Sequence, residues 1–311
     1  MGKNPRILMA IDGSDRSLAA SAYIGKVLSK QAEVVLFHVM AEIPETFRDL
    51  NAESLAEKEN FPLNVWKTQQ EETIHEFTTT ACDILTASGF PKKAISIKTQ
   101  ILKSGVARDI LEESHQNYDA LVLGRTGISK IEDISLGSVA SKLVDVVAYA
   151  PIIVVGEDIK SKKVIIAIDG SEGSMKAVQC AGKLLDPFEC EILLCHVIRP
   201  LYVPQMAAKK IFSSKHEADW IVSNKKKIIP VINAAKSGLK KLGFTAEHIS
   251  VEFLTYQRSR AAAIAKAATK GGYGTIVLGR RGFTSLKDFR IGRVSRKILH
   301  FAYRAALWVV S

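Results

Sequence analysis

The sequence predicts an α/β protein made of two tandem domains, residues 1–156 and 163–311, each a five-stranded parallel sheet with helices on both faces. Three observations predict it. First, the chain is written twice at a period of about 155 residues: ILMAIDGSDRS (7–17) returns as IIAIDGSEGS (165–174), VVLFHV as ILLCHV, YDALVLGRTG as YGTIVLGRRG, and APIIVVG as AALWVVS. That period is far longer than the ~20–50 residues of a solenoid unit, so the repeat is a whole domain. Second, short and nearly all-apolar runs alternate with longer amphipathic ones, the pattern of buried parallel strands and covering helices. Third, a polar hinge, GEDIKSKK (156–163), separates the copies.

In the first copy, RILMAI reads as a strand buried on both faces. DRSLAASAYIGKVLSK follows as a helix behind Asp and Ser cap candidates, with Leu18, Ala22, Gly25/Lys26 and Leu28/Ser29 near helical spacing. EVVLFHV is strand two. A polar stretch, 41–65, leads into a helix from about Val65 to Ser88. AISIKTQIL alternates and reads as strand three, VARDILEESHQN as a helix and DALVLG as strand four. SVASKLVDVVAYA places Val139, Leu143, Val146 and Val147 on one helical face, and PIIVV closes the copy as strand five. Strand five is an apolar edge, which is a liability unless paired.

Composition narrows the function classes. The 311 residues are 47% hydrophobic and 24% charged, enough for two ordinary cores. No apolar run approaches the ~20 residues of a membrane span. The opening MGKNPRILMAIDGS has a short apolar run, no small-residue cleavage site, and Arg6 where myristoylation needs Ser or Thr, so a cytoplasmic protein is expected. Cys82, Cys180, Cys190 and Cys195 form no C-x-x-C pair and read as reduced thiols. The net charge of +11 is uneven: residues 1–156 carry 16 Lys+Arg against 20 Asp+Glu, and residues 157–311 carry 27 against 12. A field from the second half would attract acidic protein, nucleic acid or anionic lipid. No zinc-finger or RNA-recognition motif accompanies it, so specific nucleic-acid readout is not expected.

The chemistry concentrates in LGRTGISKIEDISLGSVA (123–140). Open parallel sheets bind ligands beyond the carboxyl ends of their strands, where strand order reverses. Asp12, His38-Val39 and Gly124 are expected at such ends. Gly124 and Gly127 remove Cβ atoms, so the backbone can approach a bulky anion and adopt positive φ. Gly137-Ser138 opens a helix, whose free N–H groups and dipole favour an anion, with the Ser138 hydroxyl as an added donor.

This G-x2-G-x9-G-[ST] spacing, between a strand and a helix, resembles the nucleotide-binding signature of the universal stress protein family. Both copies share the resemblance, with AIDGS after each first strand and HV at each second strand. It implies a tandem member with two Rossmann-like (adenine nucleotide alpha-hydrolase-like) domains, and ATP or a related adenine nucleotide as ligand, with any Mg brought by the nucleotide. Carried over by position, Ala10 and Asp12 lie beside the nucleoside and Val39 meets adenine through its backbone. Gly124, Thr126 and Gly127 line ribose and phosphate; Gly137, Ser138 and Val139 hold the phosphates. The family also implies dimer-like packing through strand five, which this chain can satisfy internally by pairing PIIVV with ALWVV or in a homodimer. The loss of proline at Ala306 leaves the second edge less protected.

The second copy departs from the pattern. Asp169, Val197, Gly279, Gly282 and Gly292 recur, but position 293 is Arg, Gly105 becomes Arg260 and Asp119 becomes Gly274. The loop gains Arg280, Arg281, Arg290 and Arg293. Arg293 either fills the phosphate space or swings out to clamp an anion; a degraded ATP site is the expectation, a retuned anion site the counter-reading. His38 and His196 read as strand-end histidines bonded to a neighbouring loop, Trp66 and Trp220 as packing residues, and the lysine runs at 207–210 and 224–230 as ambiguous. No Walker-type loop and no group orienting an attacking water is present, so binding with little or no hydrolysis is expected. Two other functions stay open: a nucleotide-independent module whose basic copy docks an acidic partner, and a slow ATPase.

Overall fold

A computed structural model describes residues 4–41, 60–127, 136–156, 159–201, 212–282 and 291–311. The interior of the nine-residue loop gap, Arg290, the lysines of 207–210 and most of the 41–65 stretch lie outside the described residues.

The first half contains β1 (Arg6–Ala10), α1 (Asp15–Val27), β2 (Glu33–Met40), α2 (Asn60–Ala87), β3 (Ile95–Ile101), α3 (Val106–Ser114), β4 (Ala120–Gly124), α4 (Ser138–Val146) and β5 (Ile152–Val155). The second repeats it as β6 (Lys163–Ala167), α5 (Glu172–Leu184), β7 (Glu191–Val197), α6 (Ser214–Lys241), β8 (Ile249–Leu254), α7 (Arg260–Gly271), β9 (Thr275–Gly279), α8 (Arg293–Phe301) and β10 (Ala306–Val310).

All ten strands form one sheet, in the order β3-β2-β1-β4-β5-β10-β9-β6-β7-β8. Pairing within each half is parallel. The halves meet antiparallel at β5 and β10, with Leu307 opposite Val154, Trp308 opposite Ile153 and Val309 opposite Ile152. Strand five is therefore interior, and every residue of β5 and β10 is buried. Proline is not needed at Ala306, because the outer strands of the sheet are β3 and β8. β3 is accordingly mostly exposed, with Ile97 and Ile101 facing outward. Among the described residues no helix is long and apolar enough to cross a membrane.

Two hydrophobic cores flank the sheet. One gathers α1, α2, α5 and α6 and the other α3, α4, α7 and α8, which is the two-faced covering expected of parallel strands. Helix starts follow their caps: the hydroxyls of Ser14 and Ser171 accept from the amides of Ser17 and Ser174. Two details of periodicity differ from the sequence reading. Ala22 is exposed, and α1 buries Ala20, Tyr23, Ile24 and Val27 instead. In α4 the buried face is Ala140, Leu143 and Val144 with Val147 just beyond, while Val146 is exposed. The stripe shares Leu143 and Val147 with the sequence reading and has Ala140 and Val144 in place of Val139 and Val146, the i, i+3, i+4, i+7 set of one helical face.

The seam is tied by polar contacts as well. Trp308 Nε1 donates to the Tyr23 hydroxyl at 2.7 Å, and that hydroxyl lies 2.9 Å from Thr275 Oγ1. The ends of α1 and α5 also cross, with Ser29 N donating to Leu184 O and Asp186 N to Val27 O. Cys190 and Cys195 are buried, Cys82 and Cys180 half-buried, and all four are free thiols.

Candidate functional site

Strand order reverses between β1 and β4, and the crevice opens beyond their carboxyl ends. A cavity of about 750 Å³ sits there, inside the ~300–1,000 Å³ span of small-molecule sites. Ala10, Asp12, Val39, Gly124, Thr126, Gly127, Gly137, Ser138 and Val139 all line it. Ala10 ends β1, Asp12 stands in the turn to α1, Val39 is one residue short of the end of β2, and Gly124 ends β4. Gly137 caps α4, whose first two residues are Ser138 and Val139.

The turn after β1 holds Asp12 in place. Its Oδ1 accepts from Ser14 N at 3.1 Å and Ser14 Oγ at 2.6 Å. Gly13 makes this turn possible: its φ is +78°, and a Cβ there would come within 2.7 Å of the Phe77 ring. Asp12 Oδ2 points at Gly127, where a Cβ would lie 2.7 Å away. The carboxylate and the loop thus close on each other across the cavity.

The site glycines serve proximity rather than positive φ, contrary to half of the sequence expectation. None of Gly124, Gly127 and Gly137 has positive φ. A Cβ on Gly124 would crowd the start of α1 at Arg16 (3.1 Å), and one on Gly137 would crowd Thr126 and Arg125 (3.2 and 3.3 Å). The loop and the helix start are stitched by Gly137 N donating to Arg125 O at 2.8 Å. The next three amides, of Ser138, Val139 and Ala140, have no partner within the helix and point out of its N-terminus. With the exposed Ser138 hydroxyl they leave a set of donors of the kind that suits an anion.

The other walls were not read from the sequence. α2 contributes Trp66, Gln69, Gln70, Thr73, Ile74 and Phe77, and α3 contributes Val106 and Ile110. Trp66 is not a core residue: it is half-buried and faces the cavity. Trp220 is 37% exposed and donates through Nε1 to Arg199 O. The spacing 66-70-73-77 marks one helical face, the only part of this wall that the sequence carries. Asp109 was also missed. Fully buried, it accepts from the amides of Lys103 and Ser104 and so shapes the turn from β3 into α3.

His38 lines the cavity, with Nδ1 donating to Ile11 O at 2.7 Å; His196 repeats this with Ile168 O at 2.6 Å, as the sequence suggests. Burial holds both imidazoles below the ordinary histidine range, against the opposing pull of the carbonyl and the nearby carboxylate. The folded state therefore takes up protons less readily than the unfolded chain. The sign follows: stability from these groups is full above about pH 6.5 and is lost as pH falls through the lower folded values. Urea unfolding at pH 7.5 and pH 5.5 should show a drop that shrinks in His38→Gln/His196→Gln. An equal drop in that variant would refute the assignment.

The second-half counterparts occupy matching places. Asp169 Oδ1 accepts from Ser171 N and Oγ at 3.0 and 2.5 Å, Gly292 N donates to Arg280 O at 2.8 Å, Val197 ends β7 and Gly279 ends β9. The fit is tighter: Cβ atoms on Gly279 and Gly282 would meet Gly173 at 2.6 Å and Asp169 Oδ2 at 2.4 Å. Arg293 is exposed at the first position of α8. Arg260 is accommodated because the cap of α7 moves back to Ser259, whereas α3 is capped by Gly105 at φ +122°.

Arg280 is not a gained anion ligand. It has a first-half twin, Arg125, and both are buried, at 2% and 5% exposure. Arg125 Nη1 and Nη2 donate to Leu299 O (2.6 Å) and Ala302 O (3.3 Å), at the end of α8. Arg280 Nη1 donates to Val144 O (2.9 Å) and Nη2 to Val147 O, both at the end of α4, while its Nε donates to Ser311 Oγ (2.9 Å), the residue after β10. Burial pushes Arg125 down to about 10 and lowers Arg280 as well.

Known proteins place this architecture. A sequence profile of the Universal stress protein family matches residues 3–155 and 160–303. The universal stress protein YxiE of Bacillus subtilis (strain 168) is 32% identical over 139 residues, covering 44% of this chain and 90% of that protein. A universal stress protein from Archaeoglobus fulgidus DSM 4304 superposes with a TM-score of 0.57 at 19% identity, covering 98% of each chain. A functionally unknown protein from Pseudomonas aeruginosa PAO1 superposes at 0.55 with 15% identity, covering 99% of this chain and 92% of that one. At such identities the superpositions speak for the fold alone.

Proposed function

The chain belongs to the universal stress protein family, and from that premise we propose that its first half binds ATP or a related adenine nucleotide. Binding would bias the conformation or partner of a cytoplasmic protein that acts in stress response. The observation that carries this is the convergence of nine residues, from four separate segments, on one cavity that ends at a helix N-terminus. The apolar wall from Val39, Val106 and Ile110 suits a base, the Asp12 carboxylate suits ribose hydroxyls, and the α4 start suits phosphates.

Mg fits only as a passenger. Asp12 offers a single carboxylate oxygen toward the loop, and no group of three or more His, Cys, Asp or Glu that could hold a metal occurs among the described residues. One carboxylate plus substrate phosphates is an ordinary Mg arrangement. The reading is of binding with little or no turnover. Turnover needs a group that orients an attacking water, and the sequence has no Walker-type loop to set the phosphates for one; His38 on the wall donates Nδ1–H to Ile11 O and keeps Nε2 as its one proton acceptor. The tighter second copy, with Arg293 for serine, is read as a lost ATP site, leaving one nucleotide per chain.

Calorimetric titration with ATP should give a stoichiometry near one. Ser138→Ala should weaken binding roughly ten-fold, the low end for a hydrogen bond to a charged group. Absence of ATP binding to the intact chain, or full affinity in Ser138→Ala, would sink the respective parts of this reading.

A further inference from the structure

The first-half anion site has two parts, the Gly124–Gly127 loop and the start of α4. Each is attached to the second half by one buried arginine. Arg125 sits inside the loop. It lines the cavity, its amide donates to Val155 O (2.9 Å), its carbonyl accepts from the Gly137 amide (2.8 Å), and its guanidinium binds the end of α8. Arg280 comes from the opposite half and binds the carbonyls of Val144 and Val147, the far end of the helix that begins at Ser138.

Helix carbonyls at a C-terminus lack intrahelical partners and carry the negative end of the dipole. A buried cation there satisfies both needs. α4 has nine residues, so the Arg280 contact lies only ~13 Å from the phosphate-binding end along the helix axis. A short helix pinned at one end cannot tilt at the other without breaking those bonds. The arrangement is reciprocal, which ties loop and helix of each half to the other across the β5–β10 seam.

We propose that Arg125 and Arg280 are positioning residues for the first-half nucleotide site, so that the second half serves as the scaffold of that site although its own loop is altered. This rests on the nucleotide reading given above. It assigns the second half a role in nucleotide affinity that needs no ligand of its own.

The test uses the full chain and ATP titration at a temperature where each variant is folded by circular dichroism. Arg280→Ala should weaken ATP binding roughly ten-fold, within the usual 5–150-fold span of coupling between sites. Arg280→Lys, which keeps the charge at the helix end, should recover most of that loss. Lys297→Ala removes an exposed charge from α8, and Tyr23→Phe weakens the seam elsewhere; both should bind ATP as the parent does. Unchanged affinity in Arg280→Ala, or an equal loss in Tyr23→Phe, would overturn the proposal. Should Arg280→Ala not fold, Arg280→Lys against Arg280→Gln makes the same comparison, and equal affinities overturn it. If the parent binds no ATP, the nucleotide reading fails. The scaffold is then judged by hydrogen exchange without nucleotide: amides 138–141 should exchange faster in Arg280→Ala, and unaltered rates overturn it.

Discussion

Gly127→Val is expected to cost the first half its ATP affinity by on the order of 100-fold, about 2.8 kcal/mol, while the protein still folds. Gly127 has ordinary negative φ, so a side chain there brings no backbone strain. The atom a Cβ would strike is Asp12 Oδ2, at 2.7 Å, the free end of a side chain rather than backbone. Asp12 must pivot about its bonds to Ser14, and the branched side chain then occupies cavity volume between carboxylate and loop. A loop substitution of this kind ordinarily changes stability by ~0.5 kcal/mol or less. Binding and stability therefore separate: calorimetry should lose the ATP signal while the melting temperature barely moves. Gly282→Val, the same change against Asp169 in the second half, should leave one ATP per chain. Retention of ATP affinity within threefold by Gly127→Val would remove the loop from the site. Two equivalents of ATP on the parent, falling to one in Gly282→Val, would show that the second copy still binds.

The two kinds of signal in this sequence were unequally legible. Strands β1, β2, β4, β5 and their repeats announce themselves because their central residues are buried on both faces and almost all apolar. Among the nine named residues that line the cavity, those of the loop and helix start were legible as small residues at fixed distances from a helix start, whereas Ala10 and the nucleoside-side places of Asp12 and Val39 came through the family resemblance. The wall from α2 was not, since helical spacing shows that Trp66, Thr73 and Phe77 share a face without showing whether that face meets core or cavity. The two clasp arginines escape the sequence for a related reason. Arg280 counts there only as a gain of the second loop and Arg125 has no reading, yet Arg125 binds Leu299, 174 positions away, and Arg280 binds Val144, 136 positions away. Such partners follow from how the two halves share a sheet. The pairing of strand five was foreseeable as a possibility of the apolar edge, whereas the clasp above it depends on the final geometry.

Trp308→Ala is expected to be the most destabilising single change at the seam, at about 3–5 kcal/mol. Trp308 is fully buried in β10, opposite Ile153 of the first half and beside Val277 of β9. Truncation removes a large indole from close-packed surroundings that cannot collapse, because strands on both sides fix the backbone. The polar loss is smaller. The Tyr23 hydroxyl loses the indole donor but keeps Thr275 at 2.9 Å, so no buried group is orphaned. Trp308→Phe separates the two contributions: it keeps most of the apolar volume and loses only the donor, and about 1–2 kcal/mol is expected from the hydrogen bond and residual void. A stability of ~5–15 kcal/mol is usual for a domain, so the alanine change consumes a large part of it. Urea unfolding followed by tryptophan-independent circular dichroism gives both numbers. Because the seam joins the halves, Trp308→Ala should also broaden the transition as the halves begin to unfold separately. A loss below about 1 kcal/mol with an unchanged slope would mean that the β5–β10 pairing contributes little to the folded chain. The second half would then be a poor scaffold for the first, and Arg280→Ala should likewise leave ATP affinity intact.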